Sequence, residues 1–165
     1  MLALRLSNSE WYFVLACRDL YSENRTVCPT SQDTHIAAGY AKKVYPKYFE
    51  LIGAMRRAGV QFLAGTDTGN PYCFPGFSLH DELVLLVQAG LTPVDALRAA
   101  ILNPAKFLGL EATLGTIGKG KLADLVLLDA NPLDDIRNTQ RIQAVVSNGR
   151  FQDLDALDKM LAWAK

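Results

Sequence analysis

Val60-Gln61-Phe62-Leu63-Ala64 is a short apolar run with no inside–outside alternation, closed by Gly65. A strand of that kind is buried on both faces, and burial on both faces belongs to sheets covered by helices. The run is entered from a helix. Tyr48, Leu51, Ile52 and Met55 recur at helical spacing, Lys47, Glu50, Arg56 and Arg57 fill the rest of the wheel, and Gly59 supplies a stop. This predicts a helix over about 46–58. The strand is left through Thr66-Asp67-Thr68-Gly69-Asn70-Pro71, polar and rich in breakers, hence a loop. Helix, buried strand and polar loop in that order make the chain α/β.

Further helix starts and stops follow. Ser78 is placed to cap a helix, with Asp81 three residues on as the reciprocal partner. Leu79, Leu83, Val84, Leu85, Leu86 and Val87 leave that helix almost without a polar side, so both faces are expected to be buried, and Gly90 ends it. Thr92-Pro93-Val94-Asp95 repeats the start signal, Thr as cap and Pro at the first helical position, with Leu97, Ala100 and Ile101 expected on the buried face. Asn103-Pro104 reads as the cap of a third short helix that stops at Gly109. Beyond Gly109 the pattern turns to β. Gly115, Gly118 and Gly120 bracket turns, Leu122–Asp129 and Ile142–Val146 read as strands, and Asn131-Pro132-Leu133-Asp134 is the turn between them. Asn148-Gly149 is a strong hairpin signal. Leu154, Leu157, Leu161 and Ala164 at helical spacing predict a C-terminal docking helix.

Composition narrows the function classes. A chain of 165 residues buries roughly 70% of its unfolded surface, enough for one domain and too little for two full ones. Seventeen basic residues balance seventeen acidic ones, which gives no electrostatic footprint for nucleic acid or an anionic membrane. Cys17, Cys28 and Cys73 show neither CxxC nor CxxxC spacing, against a disulfide framework or zinc finger and in keeping with a reducing compartment. The apolar segment Trp11–Cys17 resembles a signal core, but Glu10 precedes it and Arg5 is the only early cation, so it is read as a buried strand or helix segment. No stretch approaches the ~20 apolar residues of a membrane span. The expectation is a cytoplasmic protein acting on a small molecule.

The chemically most suggestive position is Asp67, set where the apolar strand stops and flanked by two threonines and two glycines. In α/β folds the C-terminal ends of parallel strands are where ligands and catalytic groups collect. A carboxylate there is placed to ligate a metal or to act as a general base. The competing reading is an Asx-turn, with the side chain satisfying nearby backbone amides. Pattern alone leaves both open.

Four segments taken together narrow this: LAGTDTG (63–69), SLHDEL (78–83), GLTPVDALRAAILNPAKFLGL (90–110) and GKLADLVLLD (120–129). In this order the chain, over about residues 44–150, resembles the C-terminal part of the amidohydrolase superfamily, in the branch of imidazolonepropionase-like and Xaa-Pro dipeptidase-like enzymes. The resemblance implies a C-terminal fragment of a (β/α)8 TIM-like barrel plus part of the adjoining small β-sandwich. Residues 1–25 are unassigned, 26–112 would be the last βα units, 113–151 the sandwich strands and 152–165 a C-terminal helix. Val27-Cys28-Pro29-Thr30 resembles the end of the seventh barrel strand. The implied activity is metal-dependent hydrolysis of C–N bonds in amides, cyclic amides, imines or dipeptides. Asp67 would end the eighth strand, bind a divalent metal, Zn2+ in the complete enzyme, and take a proton from the metal-bound water. Thr66, Thr68 and His80 are candidates for the substrate pocket.

The family pattern also shows what these residues lack. It carries a His-x-His pair at the first strand, a bridging Lys or carboxylate at the fourth and single histidines at the fifth and sixth. This sequence has two histidines and no His-x-His, and a full barrel takes on the order of 250 residues. Asp67, His80 and Glu82 lie close together, but His80 has no second histidine at i+4, so they make a poor ligand set. His35 is no stronger, Cys73 has no evident base partner, and Arg56-Arg57 reads as a solvated helix face. Two expectations from different classes result. One is the part of a metal-dependent C–N hydrolase that holds Asp67, inactive as an isolated chain, its partners the missing N-terminal portion of the barrel or a homo-oligomer. The other is a non-catalytic α/β domain acting through self-association or a protein partner.

Overall fold

The computed structural model describes residues 2–5, 11–15, 33–66 and 75–163, with side chains described over 43–66 and 75–162. The chain divides into two compact units, Met1–Ala100 and Ile101–Lys165.

The first unit is built on a three-stranded sheet of β1 (Leu2–Arg5), β2 (Trp11–Leu15) and β3 (Gln61–Ala64), in the order β1-β2-β3. β1 and β2 are antiparallel, with Leu2 opposite Val14. β2 and β3 are parallel, with Tyr12 opposite Gln61 and Leu15 opposite Ala64. Parallel neighbours need a crossover, and helix α1 (Asp33–Arg57) provides it. Phe62 and Leu63 are successive strand residues and therefore point to opposite faces, and both are buried. The expectation of a strand covered on both sides is met.

Helix α1 starts earlier than its periodicity predicts, at Asp33 rather than near Pro46, and runs straight through the proline. A proline inside a helix removes one i→i−4 hydrogen bond and crowds the preceding turn. Ala37, Ala38, Ala41, Lys42 and Lys43, strong helix formers on the N-terminal side, favour continuing the helix past that defect. His35 falls within this helix, and its side chain is outside the described residues.

Helices α2 (Phe77–Gln88) and α3 (Pro93–Ala100) complete the unit, packing on each other and on β3. Both α1 and α2 end in a Schellman arrangement. Val60 N–H donates to Met55 C=O and Gly59 N–H to Arg56 C=O; Leu91 N–H donates to Leu86 C=O (3.1 Å) and Gly90 N–H to Val87 C=O (3.0 Å). The reversing residue at the end of α2 is Gly90, at φ +102°, with open space where a Cβ would project. Gly90→Ala is therefore expected to cost about 1 kcal/mol through backbone strain alone. An urea-denaturation midpoint matching wild type would contradict that account.

The cap of α3 forms as its sequence predicts. Thr92 Oγ1 accepts from the Asp95 amide (3.2 Å), and the Asp95 carboxylate accepts from the Thr92 amide (3.3 Å). Arg56 does more than line a solvated face, because its Nε and a terminal nitrogen both donate to the same Asp95 oxygen, at 3.1 and 3.0 Å, tying α1 to α3. Partial burial pushes the Asp95 carboxyl up, but the Thr92 and Arg56 hydrogen bonds outweigh it and leave the group below its ordinary value.

Two cap predictions are overturned. Helix α2 begins at Phe77 with Gly76 as its N-cap and no side-chain cap bond, so Ser78 lies inside the helix and is buried. Helix α4 (Leu102–Phe107) likewise has Ile101 at its N-cap, with Asn103 inside and buried. In both cases the small polar residue faces the interior rather than the helix end. The buried face of α3 is also shifted: Ala96 and Ala99 are fully enclosed, whereas Ile101 is 52% exposed. Alanine is what lets a helix backbone come close to its neighbours, so the tightest contact falls on the least hydrophobic candidates.

The second unit holds α4, the antiparallel sheet of β4 (Leu125–Leu128), β5 (Ile142–Ser147) and β6 (Arg150–Asp153), and α5 (Leu154–Trp163), which packs on β5 and β6. β4 is shorter than the predicted Leu122–Asp129, because Ala123 and Asp124 are engaged elsewhere. Asp124 Oδ1 accepts from the Asn148 amide (2.6 Å) and Ala123 C=O from the Gly149 amide (3.1 Å), so this pair braces the hairpin turn. Asn148 and Gly149 both have positive φ, +49° and +75°, as a type I′ hairpin requires. Asn131 forms the predicted turn, its side-chain oxygen accepting from the Leu133 amide. Lys121 Nζ donates to the carbonyls of Glu111 and Leu114 and to Thr116 Oγ1, holding together the glycine-bracketed loop ahead of β4.

Candidate functional site

The site is assembled from the C-terminal end of β3 and the first turns of α2. Strand β3 stops at Ala64 because Gly65 interrupts its apolar run, and Thr66 follows, half-buried. Asp67 and Thr68, the expected catalytic carboxylate and its neighbour, lie outside the described residues, as do Cys73 and the Val27–Thr30 segment. In the sequence Asp67 follows Ala64, the last residue of β3, by three positions.

His80 sits in the first turn of α2 and is half-buried. Loss of hydration disfavours its imidazolium and lowers its pKa, with Asp81 pulling the other way.

Glu82 is the residue that pattern reading set aside and that the structure brings forward. It is wholly inaccessible to solvent, on the face of α2 that also carries Ser78 one turn earlier and Leu86 one turn later. Burial pushes its carboxyl up to about 8, so the neutral acid predominates at pH 7. The Gly65 backbone amide opposes that rise, yet among the described residues neither carboxyl oxygen has a hydrogen-bond partner in normal geometry. The available signal was a carboxylate in register with apolar residues, at i−4 from Leu86 in FSLHDELVLLV, where a solvated glutamate does not belong.

Glu82 thus lies on the buried face of α2, the helix that packs on β3. Among the described residues no three His, Cys, Asp or Glu side chains converge into a metal-binding group. A four-coordinate zinc takes three or four protein ligands. The described residues therefore do not hold a metal by themselves.

Comparison with known proteins gives a consistent picture. A model of the Amidohydrolase family matches residues 18–151. The ochratoxinase of Aspergillus niger is 38% identical over 91 residues, 54% of this chain and 18% of the ochratoxinase. The imidazolonepropionase of Sphingopyxis alaskensis is 39% identical over 83 residues, 47% of this chain and 19% of that enzyme. Among solved structures, a Xaa-Pro dipeptidase with methionine bound in its active site superimposes with a TM-score of 0.61 at 30% identity, over 72% of this chain and 29% of the dipeptidase. The match covers about a fifth of the length of the two curated relatives.

Proposed function

This chain belongs to the amidohydrolase family, and on that premise we propose that it forms the last βα units of a (β/α)8 barrel and part of its β-sandwich in an enzyme that hydrolyses C–N bonds. The observation that carries the reading is the end of buried strand β3 at Gly65-Thr66, with Asp67 next in sequence and α2 and α3 after it, all inside the matched stretch. A carboxylate at the end of a parallel strand stands where barrel enzymes gather their catalytic groups.

Asp67 acts in this reading as a metal ligand and as the base that accepts a proton when water attacks the carbonyl or amidine carbon of the scissile bond. A divalent metal, Zn2+ in the complete enzyme, supplies water activation towards pKa ~7 and polarises the substrate oxygen. Thr66, Thr68 and His80 line the substrate side. The substrate is a small molecule with an amide, cyclic amide or dipeptide bond, and the location is cytoplasmic. The remaining ligands come from residues other than these 165, since the chain's two histidines cannot supply the family's set.

Calorimetric titration of the 165-residue chain with Zn2+ is expected to show no stoichiometric binding at micromolar affinity, and amide, cyclic amide and dipeptide substrates no turnover above buffer. Tight one-to-one zinc with accompanying hydrolysis would mean that these residues complete the site, against the division proposed here. A second reading, a non-catalytic domain that self-associates, is favoured by the exposure of Val126 (56%) and Leu127 (62%), consecutive β4 residues on opposite faces of the sheet. Sedimentation as a stable dimer, with no turnover in any longer assembly, would select it.

A further inference from the structure

Asn148-Gly149 forms the turn between β5 and β6, and it is also the one place in the sequence where glycine follows asparagine. Asparagine deamidates when the backbone nitrogen of the next residue attacks its side-chain carbonyl carbon, so the next residue governs the reaction. Asn70, Asn103 and Asn131 precede proline, which has no N–H to lose. Glycine has an N–H and no side chain to hinder the attack. Asn148 is exposed, and a Cβ at Gly149 would meet open space. The fold nevertheless opposes the reaction. The hydrogen that must leave the Gly149 nitrogen is donated to Ala123 C=O (3.1 Å), and the Asn148 amide donates to Asp124 Oδ1 (2.6 Å).

We propose that Asn148 is a deamidation site held latent by Ala123 and Asp124, which fix the two turn nitrogens until the segment ahead of β4 moves away. The Gly149 nitrogen then bonds to the Asn148 side-chain carbonyl carbon. The C–N bond of the side-chain amide breaks, and the Gly149 hydrogen leaves with that nitrogen as ammonia. One water opens the resulting cyclic imide. Attack at the side-chain carbonyl yields aspartate; attack at the main-chain carbonyl yields isoaspartate, whose backbone runs through the former side chain and is one carbon longer. Either product sets a new carboxylate at the turn near that of Asp124, and like charges repel. Isoaspartate also no longer fits a two-residue turn that holds Asn148 and Gly149 at φ +49° and +75°. The change runs one way, so it marks chains in which this brace has opened.

The tryptic peptide Ile142–Arg150, in which Asn148 is the one asparagine, reports the reaction by mass spectrometry as the full 165-residue chain ages in mildly alkaline buffer. A gain of one mass unit marks deamidation, and electron-transfer fragmentation separates isoaspartate from aspartate. A hydrogen bond to an ionised acceptor corresponds to a factor of about ten or more. The folded chain is therefore expected to deamidate at Asn148 about tenfold or more slower than the same chain in guanidinium chloride, and Asp124→Ala to raise the folded rate about tenfold. Asp124→Asn keeps an acceptor at the same reach and is expected to stay within about threefold of wild type. Gly90→Ala, which weakens the first unit, is expected to leave the rate unchanged. An increase there equal to that of Asp124→Ala would assign the reaction to general unfolding and overturn the proposal, as would a wild-type rate in Asp124→Ala. Should Asp124→Ala not fold, the wild-type chain decides: equal rates with and without denaturant overturn the proposal equally.

Discussion

Asp67→Asn in the catalytically competent protein is expected to lower kcat by about 10²–10⁴-fold, the range over which a positioned general base contributes. That corresponds to roughly 3–5 kcal/mol of transition-state stabilisation. Asn has the size and shape of Asp but is a far weaker base, so on the proposed reading both proton acceptance and charge at the metal position are lost together. Thermal unfolding should be unchanged, because the substitution conserves the size and shape of the side chain. If the loss falls mainly in kcat, the carboxylate acts in the transition state; if it falls only in KM, Asp67 merely binds substrate. Turnover within twofold of wild type would remove Asp67 from the mechanism and leave the Asx-turn reading.

Unfolding free energy is expected to fall by about 2 kcal/mol between pH 6.5 and 8, and Glu82→Gln to abolish that slope. The sign follows from the direction of the shift. Burial raises the folded carboxyl from 4.5 to about 8, so between those values the folded chain retains a proton that the unfolded chain releases. Raising the pH therefore favours unfolding until the folded group itself ionises. Other shifted groups act outside this window. His80, lowered from 6.5, contributes stability that is lost as the pH falls below that value, and the depressed Asp95 contributes stability that is lost only in acid. Urea denaturation at pH 6.5, 7.2 and 8 for both proteins measures the effect, and an equal slope in Glu82→Gln would show that Glu82 is ionised in the folded chain.

The legible parts of the fold are the local ones. Thr92-Pro93 caps α3, Asn131 makes its turn and Asn148-Gly149 makes its hairpin, because each depends on residues within three or four positions of itself. The doubly buried Phe62-Leu63 strand was legible too, since lack of alternation directly reflects burial on both faces. Ser78 and Asn103 misled for a complementary reason. A small polar residue near a helix start satisfies the capping pattern whether it ends the helix or faces the interior, and only the packing partner distinguishes the two. Likewise Ile101 outranks Ala96 in hydrophobicity, yet Ala96 is enclosed, because enclosure depends on how closely another element approaches.

The same division applies to the site. Asp67 is a candidate from sequence because a carboxylate just after a buried strand is a one-dimensional pattern, and the family model spans the stretch that holds it. Glu82 could not be assigned a partner that way. Its helix packs on β3, which ends eighteen positions earlier in the chain, and whether the carboxyl is solvated or sealed depends on that packing. Sequence alone determined the α/β order, the turns and the candidate carboxylate, all set by short-range sterics and hydrophobic periodicity. Tertiary structure alone decided which polar side chains lost their water, because desolvation depends on every neighbour packed around a group.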